Sequence, residues 1–305
     1  MRGRRFPVIL GNVRAESYKA FGGAARGIAL MTLPVLLLCS QGCATVDAVT
    51  GKQVINFYTL EEDVQLGRQV LLNNIEQMRK AGVAINQDPA RLSQLSNIVQ
   101  RIAAVSHLPD LPYTVTLFHT GIVNAAAAPG GAIMVFEGLF DPQKGLVRDE
   151  DELAAVLAHE IAHVNCRHTT ERLSALALAG LATELVASWT EDEDPETARA
   201  LRTVFNIGAL LVIPSYSRQD EYEADRVGLI YMARAGYDPR AALRIWQRAA
   251  RAGRSGGGPL SLLATHPAAA ERAAALEKEL PEALRIYRTR RASLRPAAGA
   301  VMRGR

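Results

Sequence analysis

The sequence predicts an α+β domain, mostly helical with a small β-sheet, and three observations carry that expectation. Leu60 to Ala81, and the stretch from Asp88 onward, place apolar residues at helical spacing. Two short runs, Tyr113 to Phe118 and Ile133 to Phe136, are β-rich. A further segment, Glu152 to Val164, is apolar almost throughout yet holds two histidines four residues apart.

The chain has 305 residues, of which 49% are hydrophobic, enough for one large domain or two small ones with a real core. Its formal charge of +4 is unevenly spread. Residues 1–42 carry a net +5 and the last 21 residues hold seven arginines and no acid, so the middle of the chain is acidic, at −8. That middle has no basic face interleaved with aromatics, and no nucleic-acid partner is expected. Of the three cysteines, Cys39 and Cys43 lie at the end of the leader and Cys166 is alone, so no disulfide framework can be read; Cys166 is expected to be a packed thiol.

Residues 1–43 read as a signal peptide. A basic start is followed by the apolar run Ile28 to Leu38, too short for a spanning helix of roughly 17–25 residues. Cys43 directly after Gly42 resembles a bacterial lipoprotein cleavage site, which would make Cys43 an acylated membrane anchor, although Ser40 stands where such sites usually have Leu. Residues 44–59 show no period and read as a linker, residues 60–284 as the main domain, and 285–305 as a basic, disordered tail.

Within the domain the first helix has Glu61, Glu62 and Asp63 at its positive end and stops at Gly82. Asp88-Pro89 opens the second, with Leu92, Leu95, Ile98, Val99 and Ile102 as its apolar stripe. Between the two strands, Asn124, Ala125, Ala126, Ala127, Ala128 and Pro129 read as extended backbone at a sheet edge, ending in the turn Gly130-Gly131. Such an edge can bind an extended peptide through its backbone, and a plain hairpin arm fits the same residues. Ser174 to Ser188 is Ala/Leu-rich and is expected as core or lid rather than a membrane span, and Glu191 to Glu196 as a solvated acidic loop.

The chemistry sits in His159-Glu160-Ile161-Ala162-His163. Residues four apart share a helix face, so both imidazoles can point at one ion, and neutral imidazole suits zinc. Glu160 is placed to reach a water rather than the ion, and can take its proton once zinc has lowered the water's pKa to about 7. The bland alternative is a buried helix with two satisfied histidines. The helix is expected to run on through His168 to Arg172, with His168 off the metal-facing stripe, as an outer partner or a solvated residue. Zinc needs a further protein ligand, for which Glu221 is the best candidate. Asp225, one turn on, is set to accept the free N–H of a ligand imidazole. Glu223 points elsewhere and is expected in a salt bridge.

With these motifs, Asn124 to Gly131, His159 to His163, Ser217 to Gly228 and Thr265-His266-Pro267 with Arg272, the chain resembles peptidase family M48 from about Leu60 to Leu280. That group includes the HtpX, OMA-type and CAAX prenyl endopeptidases. The resemblance implies a zincin-type metalloprotease domain with one Zn2+ per chain, an edge strand flanking the active site, Glu221 as third ligand, Glu160 as base and Asp225 as outer carboxylate. It sets His266 over the site, to stabilise an oxyanion or cap the zinc, with Arg272 as helper. It also assigns the substrate edge to Asn124–Pro129, with Ala126 where relatives often carry a bulky Phe. The leader and Cys43 resemble the periplasmic BepA/LoiP-like lipoprotein proteases, and Ala44 implies sorting to the outer membrane of a Gram-negative bacterium. The expected function is a zinc-dependent endopeptidase degrading misfolded or misassembled envelope proteins. Two rivals stand beside it: a latent or non-catalytic zinc lipoprotein acting as an outer-membrane assembly chaperone, and a zinc hydrolase of non-peptide amides.

Overall fold

The computed structural model describes residues 44–192, 194–212, 216–254, 266 and 269–294. The expected signal peptide with Cys43, the neighbours Thr265 and Pro267 of His266, and residues 295–305 lie outside the described residues. The architecture is the mostly helical α+β arrangement expected. In chain order come β1 (Ala44–Val46), β2 (Gln53–Ile55), α1 (Leu60–Lys80), β3 (Ala84–Ile85), α2 (Pro89–Ala103), β4 (Thr114–His119), β5 (Ala125–Ala128) and β6 (Ala132–Phe136). Then follow α3 (Glu150–Asn165), α4 (His168–Glu191), α5 (Pro195–Val212), α6 (Arg218–Ala235), α7 (Arg240–Arg254) and α8 (Ala269–Leu294).

The main sheet has the order β3-β4-β6-β5. β4 and β6 run parallel, with Thr114 opposite Ala132 and Phe118 opposite Phe136, while β5 folds back antiparallel on β6 through the Pro129–Gly131 turn. Thus β5 is both a hairpin arm and a sheet edge. β6 is buried along its whole length because both faces of the sheet are covered. Leu117, Ile133 and Val135 join the main core with α2 and α3, whereas Phe118, Met134 and Phe136 pack under Leu71, Ile75 and Met78 of α1. Period-two alternation therefore sends one set of side chains to each helix layer. Helix α1 rests on the β5–β6 turn so closely that a Cβ added to Gly67 would overlap the carbonyl oxygen of Pro129.

Helix α3 is the buried centre. Asp149 caps it by accepting the Glu152 N–H, and every residue from Glu152 to Asn165 is buried. It does not run on to Arg172, as the sequence suggested. Arg167 adopts a left-handed conformation (φ 54°, ψ 28°), which ends α3 and starts α4 at His168. That conformation costs an ordinary residue about 1–2 kcal/mol. It is held by the Arg167 guanidinium, which donates to Asp63 Oδ2 (2.6 Å) and the Tyr58 carbonyl (2.5 Å). The break also changes the fate of the apolar stretch at Ser174 to Ser188. It belongs to a 24-residue helix with Leu181, Leu185, Val186 and Trp189 exposed, so it is not core. By length and composition alone, α4 could cross a membrane. Cys166, at the end of α3, is a buried free thiol.

Two further expectations change. The segment read as a linker forms the two-stranded β1–β2 sheet, and beyond it Asn56 and the Phe57 N–H hydrogen-bond to Thr170 (3.0 Å) and Ser174 (2.9 Å) of α4. Those polar contacts leave no period of apolar residues to read. At the other end α8 continues to Leu294, so residues 285–294 are helical; Ile286 and Tyr287 pack against the core from an otherwise charged helix face.

Two stability measurements follow. Gly67→Ala forces α1 off the turn and is expected to cost about 1–3 kcal/mol, read as a lower urea midpoint. Glu152, 1% exposed, accepts from Arg244 (3.1 Å) and from both terminal nitrogens of Arg248 (2.9 Å each). Burial pushes its pKa up, but the two guanidiniums outweigh burial and leave it below the usual glutamate value. A depressed folded pKa stabilises the fold above the unfolded value of about 4.3, and this is lost as pH falls through the folded value. The urea midpoint should therefore drop between about pH 5 and pH 3, and less steeply in Glu152→Gln, which should already be weaker at pH 7.

Candidate metal centre

Helix α3 presents His159 and His163 one turn apart, and α6 lies across it. Helix α6 is fixed at its start by a capping box, Ser217 with Asp220, and at its end by Gly236 in the left-handed region. Its Glu221, Asp225 and Gly228 face α3. Gly228 is the contact point, where an added Cβ would stand 3.0 Å from the Ala158 carbonyl and the His159 nitrogen. This close approach brings Glu221 to the two histidines, and His266 closes the group from above.

One ligand atom each from His159, His163, Glu221 and His266 lie within 4.8 Å of one another, and all four residues are buried. His159 Nε2 is 3.0 Å from His163 Nε2, 3.3 Å from His266 Nδ1 and 3.4 Å from Glu221 Oε2. Glu221 Oε1 is 2.9 Å from His266 Nδ1 and 3.6 Å from His163 Nε2. Tetrahedral bonds of about 2.0–2.1 Å to one ion separate its ligands by about 3.3 Å. The observed spacings bracket that value, and imidazole nitrogens converging in a buried space on a carboxylate are a donor set suited to a metal.

Around the four stands a second layer. Asp225 Oδ1 is 3.1 Å from His159 Nδ1, leaving Nε2 free to face the centre. Arg272, fully buried on α8, donates to both Asp225 oxygens (2.7 and 2.6 Å), pairs with Glu221, and lies 3.5 Å over the Trp246 ring of α7. It therefore clamps the two acids of α6 rather than reaching into the cleft. Burial and Arg272 both push the His159 pKa down, but Asp225 and Glu221 outweigh them and raise it to about 9. Burial and the neighbouring His159 hold His163 well below its usual value. For Glu221, burial is outweighed by His266, His159 and His163, which keep it ionised far below the ordinary carboxylate range.

Glu160 lies beside the edge of the sheet, where it lines one cleft with Ala126, Ala127 and Ala128. Its Oε1 lies 3.6 Å from His266 Nε2, its Oε2 is buried with no hydrogen-bond partner, and burial raises its pKa. The Ala127 N–H reaches it as a donor. The Phe136 N–H bonds to the Asn124 carbonyl, so by antiparallel alternation Ala125 and Ala127 turn their backbone groups to the free edge of β5. Beside that edge runs an apolar cleft of about 440 Å³, whose walls include Leu66, Val70, Leu173 and Leu176, with Glu160 and His266 at its floor. Ala126, Ala127, Ala128 and Pro129 line it; Asn124 and Ala125 do not.

Two side chains of this centre escaped the sequence reading, and a third, His168, was read only as an outer partner or a solvated residue. Tyr216 stacks on His163 with ring centroids 3.8 Å apart, and its only sequence signal is its place before the Ser217 cap. Trp246 supports Arg272 from a helix whose motif carries no chemistry. His168, expected off the stripe, is buried with Nδ1 2.9 Å from His163 Nδ1, because the left-handed corner at Arg167 turns it back.

The profile of peptidase family M48 matches residues 89–280, most of the stretch over which the motifs pointed to it. The chain is 38% identical over 189 residues to the mitochondrial metalloendopeptidase OMA1 of Schizosaccharomyces pombe, an overlap of 62% of this chain and 53% of that one. It is 30% identical over 199 residues to the beta-barrel assembly-enhancing protease of Yersinia pestis (63% and 39%), and 26% identical over 212 residues to that of Escherichia coli (67% and 42%). The chain thus spans roughly half or less of the length of these relatives.

Asp225→Asn keeps the shape but removes the charge that orients His159 and answers Arg272. Metal affinity, measured by competition with a chelator, should fall about 10–100-fold.

Proposed function

The chain belongs to peptidase family M48, and from that premise we propose that it is a zinc-dependent endopeptidase of the cell envelope that cleaves misfolded or misassembled envelope proteins. The observation that carries the reading is the position of Glu160. This buried carboxylate, with one unpartnered oxygen, lies between the four-ligand cluster and a free strand edge. His159, His163 and Glu221 would hold one zinc ion, which when bound polarises a carbonyl and lowers the pKa of water.

The remaining work falls to the chain. An extended substrate adds to the outward backbone groups of Ala125 and the outward carbonyl of Ala127 on β5, which bind any sequence alike, as an unfolded substrate requires. Its side chains enter the apolar cleft beside Leu173 and Leu176. Glu160, its pKa raised by burial, takes the proton of the attacking water and hands it to the leaving amine. His266 Nε2, 3.6 Å from Glu160, is placed to donate toward the developing oxyanion once His266 leaves the centre. In the arrangement described, His266 Nδ1 belongs to the cluster itself and would offer a bound ion a fourth ligand. This supports a latent resting state opened by movement of His266, and makes the latent zinc lipoprotein the second reading. The envelope location and the lipid anchor at Cys43 rest on the leader sequence and on the beta-barrel assembly-enhancing proteases among the relatives.

The test is zinc content and casein cleavage of the purified protein. Glu160→Gln should retain about one zinc per chain and lose cleavage about 10²–10⁴-fold. His266→Ala should raise cleavage above wild type if the histidine caps the site. Equal cleavage by wild type and Glu160→Gln sinks the enzymatic reading.

A further inference from the structure

Each histidine of α3 must keep its ring fixed while one nitrogen faces the centre, and the two are held differently. His159 is oriented directly by the Asp225 carboxylate. Among the described residues no carboxylate stands behind His163. With Nε2 turned to the cluster, its proton must sit on Nδ1, and the atom 2.9 Å away is His168 Nδ1. His168 then accepts at Nδ1 and carries its own proton on Nε2, which faces Glu223 Oε2 at 3.6 Å. The other Glu223 oxygen accepts from Lys52 Nζ at 2.8 Å. Lys52 lies in the β1–β2 connection, and the chain beyond β2 fastens the start of α4 through Asn56–Thr170, Phe57–Ser174 and the Tyr58 carbonyl with Arg167.

We propose that His168 and Glu223 are positioning residues for His163, and that the N-terminal strand pair holds them in place through Lys52. Only the first step of the row is a hydrogen bond, from His163 Nδ1–H to His168 Nδ1; the second, from His168 Nε2 to Glu223 Oε2 at 3.6 Å, is an approach at ion-pair distance. An imidazole backed by a carboxylate thus does for His163 what Asp225 does for His159. The left-handed corner at Arg167 has a reason in this scheme, because a continuous helix would carry His168 off the His163 side. The segment before α1 becomes part of the metal centre although it touches no ligand. The inference rests on the metal reading above, and the experiment separates the two.

The purified full-length protein is compared with His168→Ala, His168→Asn, Glu223→Ala and Lys52→Met. Three quantities are read: zinc affinity by chelator competition, the visible absorption of the cobalt-substituted protein, and the thermal midpoint of the metal-free protein. His168→Ala should weaken zinc about 10–100-fold and alter the cobalt spectrum, with His168→Asn recovering most of the loss, because its side-chain oxygen still accepts the His163 proton. Glu223→Ala should weaken zinc less than His168→Ala, and Lys52→Met less again. Zinc affinity and cobalt spectrum unchanged in His168→Ala overturn the proposal while leaving the metal reading intact. Equal losses in His168→Ala and His168→Asn, matched by a fall in the metal-free midpoint, mean packing alone and also overturn it. A wild type that takes up no zinc overturns the metal reading, and this inference with it.

Discussion

A buried arginine answering two carboxylates is the interaction on which this structure turns. Arg272 reaches from α8 to Glu221 and Asp225 of α6, with no part of it exposed. Removing three charges from water is expensive, and such a group survives only when each charge has partners of good geometry. Here the partners are supplied by the site itself. Arg272 donates to both Asp225 oxygens, pairs with Glu221 Oε2 and lies over the face of Trp246; Asp225 Oδ1 and Glu221 Oε2 also face His159, and Glu221 Oε1 turns to His266 and His163. Removing either acid or the arginine leaves its partner's buried charge short of a counter-charge, so α3, α6, α7 and α8 are tied together at one point.

Close packing aligns the rest around that point. Gly228 lets α6 approach α3 at the level of His159, and Gly67 lets α1 settle on the turn after β5. Together they set the ligand cluster and the free edge of β5 on two sides of Glu160. The edge strand is made of alanines, poor strand formers by preference, and its conformation is imposed by pairing with β6 and by the helices on each face of the sheet. Small side chains there leave room for a cleft beside a backbone edge, which suits a peptide better than a small amide.

The centre is also anchored at its N-terminal side. Residues with no helical or strand period, from Lys52 to Tyr58, reach Glu223, Thr170, Ser174 and Arg167 through polar contacts. Sequence patterns detect apolar faces, and these residues have none to detect. The same blindness covers Tyr216 and Trp246, which matter through ring contacts with residues brought near only by the fold.

By itself the sequence pointed to the first helices, to two strands with an extended Ala–Pro–Gly edge between them, and to His159, His163, Glu221, Asp225, His266 and Arg272 as residues that meet at one centre. His159 and His163 share a face because a helix repeats every 3.6 residues, and Glu221 and Asp225 do so for the same reason. Only the tertiary structure decided which atoms face inward. The left-handed residue at Arg167 broke a helix that periodicity would continue and turned His168 onto His163. The crossing of α6 over α3 at a glycine put Glu221 within reach of both histidines, and Arg272 became a clamp on two acids rather than a group in the cleft. Local spacing fixes faces, whereas contacts between residues far apart in the chain, such as Arg272 with Asp225 and Glu221 with His159, follow from how those faces pack.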